Sequence, residues 1–351
     1  MHFKNIILVG FLSLIFMVNG FSQDFHYTQY FHSPLGVNPA LAGAFNGSYR
    51  ISGVYRSQYF GIAKDFAGYS LNVDAPIVRG IRKQDWIGVG LRLESNEAGS
   101  VDQKLNLFGL GASYHLALDK KQNSVLSFGL QYGTGGYSYT TSGDRLAAQN
   151  LITGTQSQDE FAFKEKFPQI EPSNNNNQTS GGSLSDLSIG VLYKRKNPKS
   201  GAEFQLGAGV DGVLNPNRSS FGKRDGKGIG INAFTSYEFV LTRRASLTSG
   251  AYYYSNKKAS AVNVNSILNY QMKPDNALTL HSGLGLRNAR AGLIYLGASI
   301  KDIRVGLAFD LDLSSSSIIT NSSKSIELAV SYIGKIYKKP KPKPIIYCPR
   351  L

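Results

Sequence analysis

The chain has 351 residues, of which 42% are hydrophobic and 17% charged, and its formal net charge is +15. It is poor in charge beside an average soluble domain, in which about 25% of residues are charged. The single cysteine excludes a disulfide scaffold and a cysteine-based metal cluster. Short apolar runs among 38 glycines and 20 tyrosines argue against a helical protein, so the classes to distinguish are a soluble β-sandwich and a membrane β-barrel.

Residues 1–22 have the features of a secretory signal peptide. Lys4 gives a basic start, residues 6–18 are apolar, and Gly20 and Ser22 are small residues at the −3 and −1 positions of a cleavage site. An uncleaved anchor is the alternative, but the apolar run is shorter than the roughly 20 residues of a membrane helix. No later segment is apolar enough to be such a helix, so we expect an exported chain that crosses a membrane only by β-strands.

Residues 23–48 combine aromatic and small residues without the alternation of a strand. Pro34 and Pro39 predict tight bends in this segment. His26 and His32 do not have the spacing of metal ligands, and no carboxylate cluster accompanies them. We therefore expect a plug-like segment that enters the barrel.

Between residues 49 and 334, several segments have apolar residues at every second position, the period of a strand with two different faces. In one such strand, Asp310 and Asp312 share a face, which suits contact with water or a charge partner because unpaired buried charge is costly. The predicted strands are 49–59, 66–76, 86–96, 103–119, 123–139, 184–196, 202–214, 226–241, 245–256, 260–272, 277–287, 291–300, 303–313 and 324–334.

The length and number of these segments favour a membrane barrel over a sandwich. Most match the roughly 9–11 residues that a tilted strand needs to cross a bilayer. An even strand number is typical of bacterial outer-membrane barrels, and closure leaves no sheet edge facing lipid. We predict an all-β fold, a transmembrane up-and-down antiparallel β-barrel of about 14 strands, apolar outside and glycine-rich and polar inside.

Tyrosines near strand ends are predicted to form aromatic girdles at the two membrane interfaces. The tyrosines concerned are Tyr114, Tyr132, Tyr137, Tyr139, Tyr193, Tyr237, Tyr252, Tyr253, Tyr254, Tyr270, Tyr295 and Tyr332.

Two further segments interrupt or follow the strand pattern. Residues 140–183 form a predicted long extracellular loop, functional or a mobile cover, with short helices at 146–153 and 156–167. Residues 335–351 form a basic, proline-rich tail in which Lys-Pro alternation predicts an extended arm. The arm is expected in the periplasm, where nucleic acid is absent, so its charge indicates an acidic partner protein, lipid head groups or only a solvated linker without a contact.

Apolar residues return at the end of the tail, in residues 345–351, and predict a docking tip on a spacer. Two roles remain open for Cys348: a free thiol, or a small side chain that packs against a partner. The predicted partner-docking residues are Lys338, Lys339, Tyr347, Cys348, Pro349 and Arg350.

No catalytic motif is present in the sequence. A hydrolase triad needs a base beside a nucleophile, and neither His115 nor His281 lies near a serine nucleophile motif. The Gly-x-Gly pairs at 88–90 and 283–285 lack the strand–turn–helix context of a phosphate-binding loop. We predict no enzyme activity, no cofactor and no metal site.

The chain contains YTQY at 27–30, NPALAG at 38–43, YRSQY at 55–59 and CPRL at 348–351. These four stretches resemble the PorP/SprF family of outer-membrane proteins of the type IX secretion system. The resemblance covers essentially the whole mature chain. The family usually has tryptophan where this chain has Tyr59, but an aromatic ring is kept.

The resemblance implies a non-enzymatic role in type IX secretion, and in gliding motility for the SprF branch. It implies a large adhesin-type client that is secreted or retained at the surface, and periplasmic ring or peptidoglycan-binding partners. On this basis the chain lies among outer-membrane lipids with both termini periplasmic.

We expect the family motifs to hold the N-terminal segment against the lumen and to mark its contact with the first strand. The residues of the segment are Gln29, Tyr30, Asn38, Pro39, Ala40 and Gly43. Those of the first strand are Tyr55, Arg56 and Gln58.

Three other functions compete with this interpretation. The main alternative is a fatty-acid-channel-like transporter of hydrophobic small molecules. A passive porin would have more strands and a ring of charged residues at its constriction. An adhesive barrel would bind other cells through the 140–183 loop.

Overall fold

In the computed structural model, the described residues form a barrel with a segment inside it. They are 27–58, 66–82, 84–98, 103–141, 178–214, 228–256, 260–272, 278–288, 291–313 and 324–336. The predicted signal peptide and the docking residues Lys338 to Arg350 lie outside this set.

Fourteen antiparallel strands close into a barrel in which each strand pairs with its neighbours in sequence and β14 pairs with β1. The predicted fold class and strand number are therefore confirmed. The strands are β1 (Tyr49–Gln58), β2 (Phe66–Arg79), β3 (Trp86–Ala98), β4 (Gln103–Ala117), β5 (Ser124–Thr141), β6 (Gln178–Lys196), β7 (Glu203–Asp211), β8 (Gly230–Val240), β9 (Ala245–Ser255), β10 (Ser260–Gln271), β11 (Leu278–Arg287), β12 (Ala291–Ile300), β13 (Ile303–Asp312) and β14 (Lys324–Gly334).

The two faces of the strands differ as the alternation predicts. Along β13, Val305, Leu307 and Phe309 are exposed on the outside, whereas Ala308 and Asp310, at alternate positions, are buried in the lumen. Large exposed apolar side chains recur on the outer face around the barrel. A bilayer is the environment in which such a face is stable.

The two ends of the barrel carry different connections. At the end where β1 begins and β14 ends, six connections of two to six residues join the strands, and we call this the short-turn end. The opposite end, which includes the connection between β5 and β6, is the long-loop end. The shortest turn is Lys301–Asp302, in which Lys301 has a φ of 53°.

The longest strand pair extends beyond the predicted strand bounds. β5 and β6 pair from Ser124 with Arg195 to Thr141 with Gln178, so β6 begins six residues before the predicted start at 184. Residues 142–177 of the predicted 140–183 loop, and with them the short helices predicted at 146–153 and 156–167, lie outside the described residues. Alternating hydrophobicity marks only the lipid-facing part of a strand, and backbone pairing continues past it into a polar, glycine-containing stretch.

Residues 27–48 lie inside the barrel, and we call them the plug segment. Its backbone forms a 3-10 turn at Tyr30–His32, the short helix α1 at Pro34–Val37 and a second 3-10 turn at Pro39–Leu41. Each proline stands at the start of a helical turn, where its missing amide hydrogen is not needed. No helix among the described residues has the length and apolarity to cross a membrane.

Candidate functional site

The plug segment is fixed at one end by four charged side chains of the barrel wall. Arg56 on β1 contacts Glu327 on β14 at 2.5 Å and Asp310 on β13 at 2.8 Å, and Arg287 on β11 contacts Asp310 at 2.8 Å. We call these four residues the charge cluster. Its two cations balance its two anions, and Arg56 and Glu327 are at most 1% exposed.

Backbone amides of the plug segment complete the hydrogen bonding of this cluster. The amides of Thr28 and Gln29 donate to the two carboxylate oxygens of Glu327, at 2.6 and 2.9 Å. The Thr28 hydroxyl donates to Asp310 at 2.8 Å, and Arg287 also contacts this hydroxyl. A buried ion pair is stable only when its remaining donors and acceptors are satisfied. The plug segment and the charge cluster therefore stabilise each other.

Asn38 fixes the middle of the plug segment. Its side-chain nitrogen donates to the carbonyl of Ala208 on β7 at 2.8 Å and to that of Val191 on β6 at 3.3 Å. Its side-chain oxygen accepts from the amide of Ala40 at 2.8 Å and so caps the second 3-10 turn. Asparagine supplies both the donor and the acceptor that this position needs.

Glycines on the inner face of the wall make room for the plug segment. A Cβ atom at Gly129 would overlap the backbone of Pro39 and Ala40, and one at Gly190 would overlap the side chain of Asn38. A Cβ at Gly88 would overlap the carbonyl of the plug segment at residue 42. At these positions the close approach of the plug segment to the backbone of the wall requires glycine.

Asp74 on β2 holds the turn that follows. Its carboxylate accepts from the amide of Gly43 at 2.7 Å, and Arg50 pairs with both of its oxygens at 2.8 and 2.9 Å. Arg50 also donates to the carbonyl of Leu41 at 3.0 Å. Gly43 has a φ of +67°, the left-handed region that favours glycine.

Three further side chains bind the plug segment beside this turn. The carbonyl of Ala42 accepts from Ser113 at 2.5 Å and from His115 at 2.7 Å, both on β4. Trp86 on β3 stacks on the His115 ring and donates from its indole nitrogen to the carbonyl of Gly43 at 3.0 Å. The only tryptophan of the chain is therefore a plug contact.

The six plug residues singled out by the resemblance are all buried in the lumen. They are Gln29, Tyr30, Asn38, Pro39, Ala40 and Gly43. On β1, Arg56 reaches the plug segment, whereas Tyr55 faces outward, is 48% exposed and lies away from it. Gln58 is the last residue of β1.

Several wall residues that hold the plug segment belong to no motif of the sequence: Arg50, Asp74, His115, Arg287 and Glu327. Each is a polar or charged residue at an inward position of a strand whose outward positions are apolar. The same pattern, a polar residue at an inward position, occurs at Asp310. Among the predicted girdle tyrosines, Tyr252, Tyr254 and Tyr295 are instead buried in the lumen, so the girdle prediction is wrong for these three.

Two cavities lie on opposite sides of the plug segment. The cavity toward the long-loop end has a volume of about 140 Å³ and polar walls that include Arg92, Glu94 and Asp186. The cavity toward the short-turn end has about 370 Å³ and is lined by Trp86 and Lys194 among others. In the described part of the chain, no group of three or more His, Cys, Asp or Glu side chains could hold a metal ion.

The turn between β2 and β3 forms part of the short-turn end and contains Asp85. Tyr114 donates to its carboxylate at 2.7 Å, and the amide of Ala117 donates at 2.9 Å. The Tyr114 hydrogen bond lowers the pKa of Asp85 below its usual range. The carboxylate thereby ties this turn to the end of β4.

The fold and the filled lumen define a plugged outer-membrane β-barrel. The profile described as type IX secretion system membrane protein PorP/SprF matches residues 19–332. The chain therefore belongs to the PorP/SprF family, and it lies in the outer membrane. The comparison with curated proteins found no match.

Several solved barrels have a similar course of the chain at very low sequence identity. The CymD monoaromatic hydrocarbon channel has 10% identity and a TM-score of 0.48, with 88% of this chain and 93% of that chain covered. The Ralstonia pickettii toluene transporter TbuX has 10% identity and a TM-score of 0.47, with 85% of this chain and 92% of that chain covered. A Pseudomonas aeruginosa FadL homologue has 11% identity and a TM-score of 0.45, with 90% of this chain and 100% of that chain covered. Similarity at this level carries no argument about function.

Proposed function

We propose that the protein is a non-enzymatic outer-membrane component of the type IX secretion machinery. It supports the secretion or surface retention of a large adhesin-type client and contacts periplasmic ring or peptidoglycan-binding components. The observation that carries the proposal is the family match over residues 19–332. The buried contacts of the plug segment support it, because they fit a barrel that works as an assembly partner rather than an open pore.

The proposal includes an orientation of the barrel. Outer-membrane barrels have short periplasmic turns and longer extracellular loops. By this rule, the short-turn end faces the periplasm, and β14 delivers the basic tail there. The expected docking tip, with Cys348, Pro349 and Arg350, is then on the side of the periplasmic partners.

The experiment that tests this function compares the surface and secreted proteins of three strains. One strain lacks the gene, one carries the full gene, and one carries the gene without residues 345–351. We expect the deletion to remove one or a few large surface proteins while other secretion continues. The truncation should copy the deletion while the barrel still assembles in the outer membrane. An unchanged protein set in the deletion strain would contradict the proposed function.

The alternative is a fatty-acid-channel-like transporter of hydrophobic small molecules. Sites for such ligands are mostly apolar, with few polar groups. The cavity toward the long-loop end instead has Arg92, Glu94, Asp186 and Asp211 in its walls, which favours the secretion proposal. Uptake of a labelled long-chain fatty acid that requires this gene would favour the transporter.

A further inference from the structure

A groove on the outside of the barrel lies at the short-turn end, where β6, the turn after it, β7 and β8 meet, and we call it the outer groove. It has a volume of about 370 Å³ and is lined by Arg195, Asn197, Pro198, Ala202, Phe204 and Tyr237. The barrel wall separates it from the plug segment. Neither the plug segment nor the two inner cavities therefore explain the residues that line it.

The register of three strands brings the side chains of the outer groove together. Arg195 on β6 pairs with Phe204 on β7, and Phe204 pairs with Tyr237 on β8. Lys194 and Lys196, on either side of Arg195 along β6, line the inner cavity toward the short-turn end. Because successive side chains of a strand point to opposite faces, Arg195 points outward. Its guanidinium group therefore shares the outer surface with the two rings.

Aromatic rings form a continuous row across this surface. The ring centroids of Tyr193 and Phe204 are 6.4 Å apart, and those of Phe204 and Tyr237 are also 6.4 Å apart. The ring of Phe239 continues the row, at 4.4 Å from Tyr237. Outer-membrane barrels carry such aromatic residues at the level of the lipid head groups. The row thus places the outer groove at the membrane interface of the short-turn end.

The polar groups of the outer groove are donors without acceptors. Within the part of the chain that the structure describes, no carboxylate or other acceptor contacts the exposed side chain of Arg195. The carboxylate of Glu203, next to Phe204 on β7, faces the lumen and pairs with Lys194 at 2.9 Å. Asn197 uses its side-chain oxygen to accept from the amide of Lys199 at 3.0 Å, which leaves its amide nitrogen as a donor. The groove therefore offers positive charge and donors beside an apolar surface.

We propose that the outer groove binds the phosphate group of an anionic glycerophospholipid. A guanidinium group binds phosphate oxygens through paired, charge-assisted hydrogen bonds, and the Asn197 amide supplies a further donor. The rings of Phe204 and Tyr237 pack against the glycerol and the upper acyl chains. A lipid phosphate is favoured over a free anion because the groove opens on the lipid-facing side of the barrel.

The kind of lipid rests on the orientation given under the proposed function. That orientation places the short-turn end in the periplasmic leaflet, which in outer membranes consists of glycerophospholipids. Basic residues at a membrane surface attract anionic lipids. Lipid binding by the outer groove is otherwise separate from the secretion role, since the groove takes no part in the contacts of the plug segment.

The test measures lipid binding to the full chain by native mass spectrometry from detergent micelles. The probes are palmitoyl-oleoyl phosphatidylglycerol, phosphatidylcholine with the same acyl chains, and glycerol phosphate, which has no acyl chain. The groove variants are Arg195→Gln, which removes the charge, and Asn197→Asp, which keeps an acceptor for the amide of Lys199 and places a negative charge beside the phosphate. The matched control is Arg82→Gln, an exposed arginine in the β2–β3 turn of the same end, 4.0 Å from Asp85.

We expect the first phosphatidylglycerol to bind more tightly than phosphatidylcholine, and glycerol phosphate not to bind. Each groove variant should raise the Kd for phosphatidylglycerol about fivefold, the usual contribution of one basic residue at an anionic membrane surface. The control should stay within about twofold of the wild type. Equal Kd values in groove variants and control, no preference for phosphatidylglycerol, or binding of glycerol phosphate alone would overturn the proposal. Because purified protein in micelles is used, such a result is distinct from an unchanged set of secreted proteins and from a reversed orientation.

Discussion

The buried charge cluster shows how single residues decide the position of the plug segment. Arg56 and Glu327 face each other across the β1–β14 closure of the barrel, and the register pairs these two residues directly. Asp310 enters from the next strand and Arg287 from β11. The cluster thus ties the first and last strands to the plug segment at one point.

At this scale we predict that Glu327→Gln destabilises the barrel strongly. The change leaves Arg56 and Arg287 with one carboxylate and removes the negative charge to which the amides of Thr28 and Gln29 donate. Breaking one partner of a buried pair costs about 3–5 kcal/mol, and urea unfolding in detergent micelles measures this loss in the free energy of unfolding. Glu97→Gln removes an exposed pair with Lys104 and should cost less than about 1 kcal/mol. Equal losses in the two variants would show that the cluster does not hold the structure.

At the scale of elements, strands and turns could be predicted from the sequence to different extents. The period of two gives the strand number and the orientation of each face, and most strand bounds agree within a few residues. The early start of β6 could not be predicted, because pairing outside the membrane leaves no hydrophobic alternation. The wall contacts of Asp74 and His115 could not be predicted from the sequence either. The register around the whole barrel determines which inward residues meet the plug segment.

One element-scale prediction concerns the inner glycines of β5. Gly129→Ala places a methyl group against the backbone of Pro39 and Ala40 and should lower thermal stability by displacing the plug segment. Gly133→Ala lies on the same strand and face, but its nearest neighbour would be 3.8 Å away. The melting temperatures of the two variants in micelles measure the difference. If Gly133→Ala lowered the melting temperature as much as Gly129→Ala, the contact between Gly129 and the plug segment would not be the cause of the loss.

A second element-scale prediction concerns pH and the turn between β4 and β5. The carboxylate of Asp119 accepts from the amide of Ser124 at 2.8 Å and from the side chain of Asn123 at 2.9 Å, and the Ser124 hydrogen bond lowers the pKa of Asp119 below its ordinary value. A lowered pKa in the folded state means that the contribution is present above the ordinary value and is lost as pH falls through the folded-state pKa. The difference in melting temperature between the wild type and Asp119→Ala should therefore shrink between pH 6 and pH 3. A difference that stays constant or grows would be inconsistent with this contact.

At the scale of the whole molecule, a closed apolar cylinder surrounds a polar interior that the plug segment divides into two cavities. The sequence predicted the cylinder from alternation, and the family motifs drew attention to the plug residues. The two cavities were not predictable, because each is formed by side chains from many strands. This division of the lumen by the plug segment is the central structural feature of the whole molecule.

The most direct test of that feature is the ion conductance of the full chain in planar lipid bilayers, compared with a variant that lacks residues 27–44. We expect little conductance for the full chain and clear open-channel steps for the variant, because removal of residues 27–44 joins the two cavities. Heat-modified migration on gels shows whether the deletion variant is a folded barrel. If it is not folded, the conductance of the Gly129→Ala variant is measured instead. A full chain that conducts as well as the variant would show that the plug segment does not close the lumen.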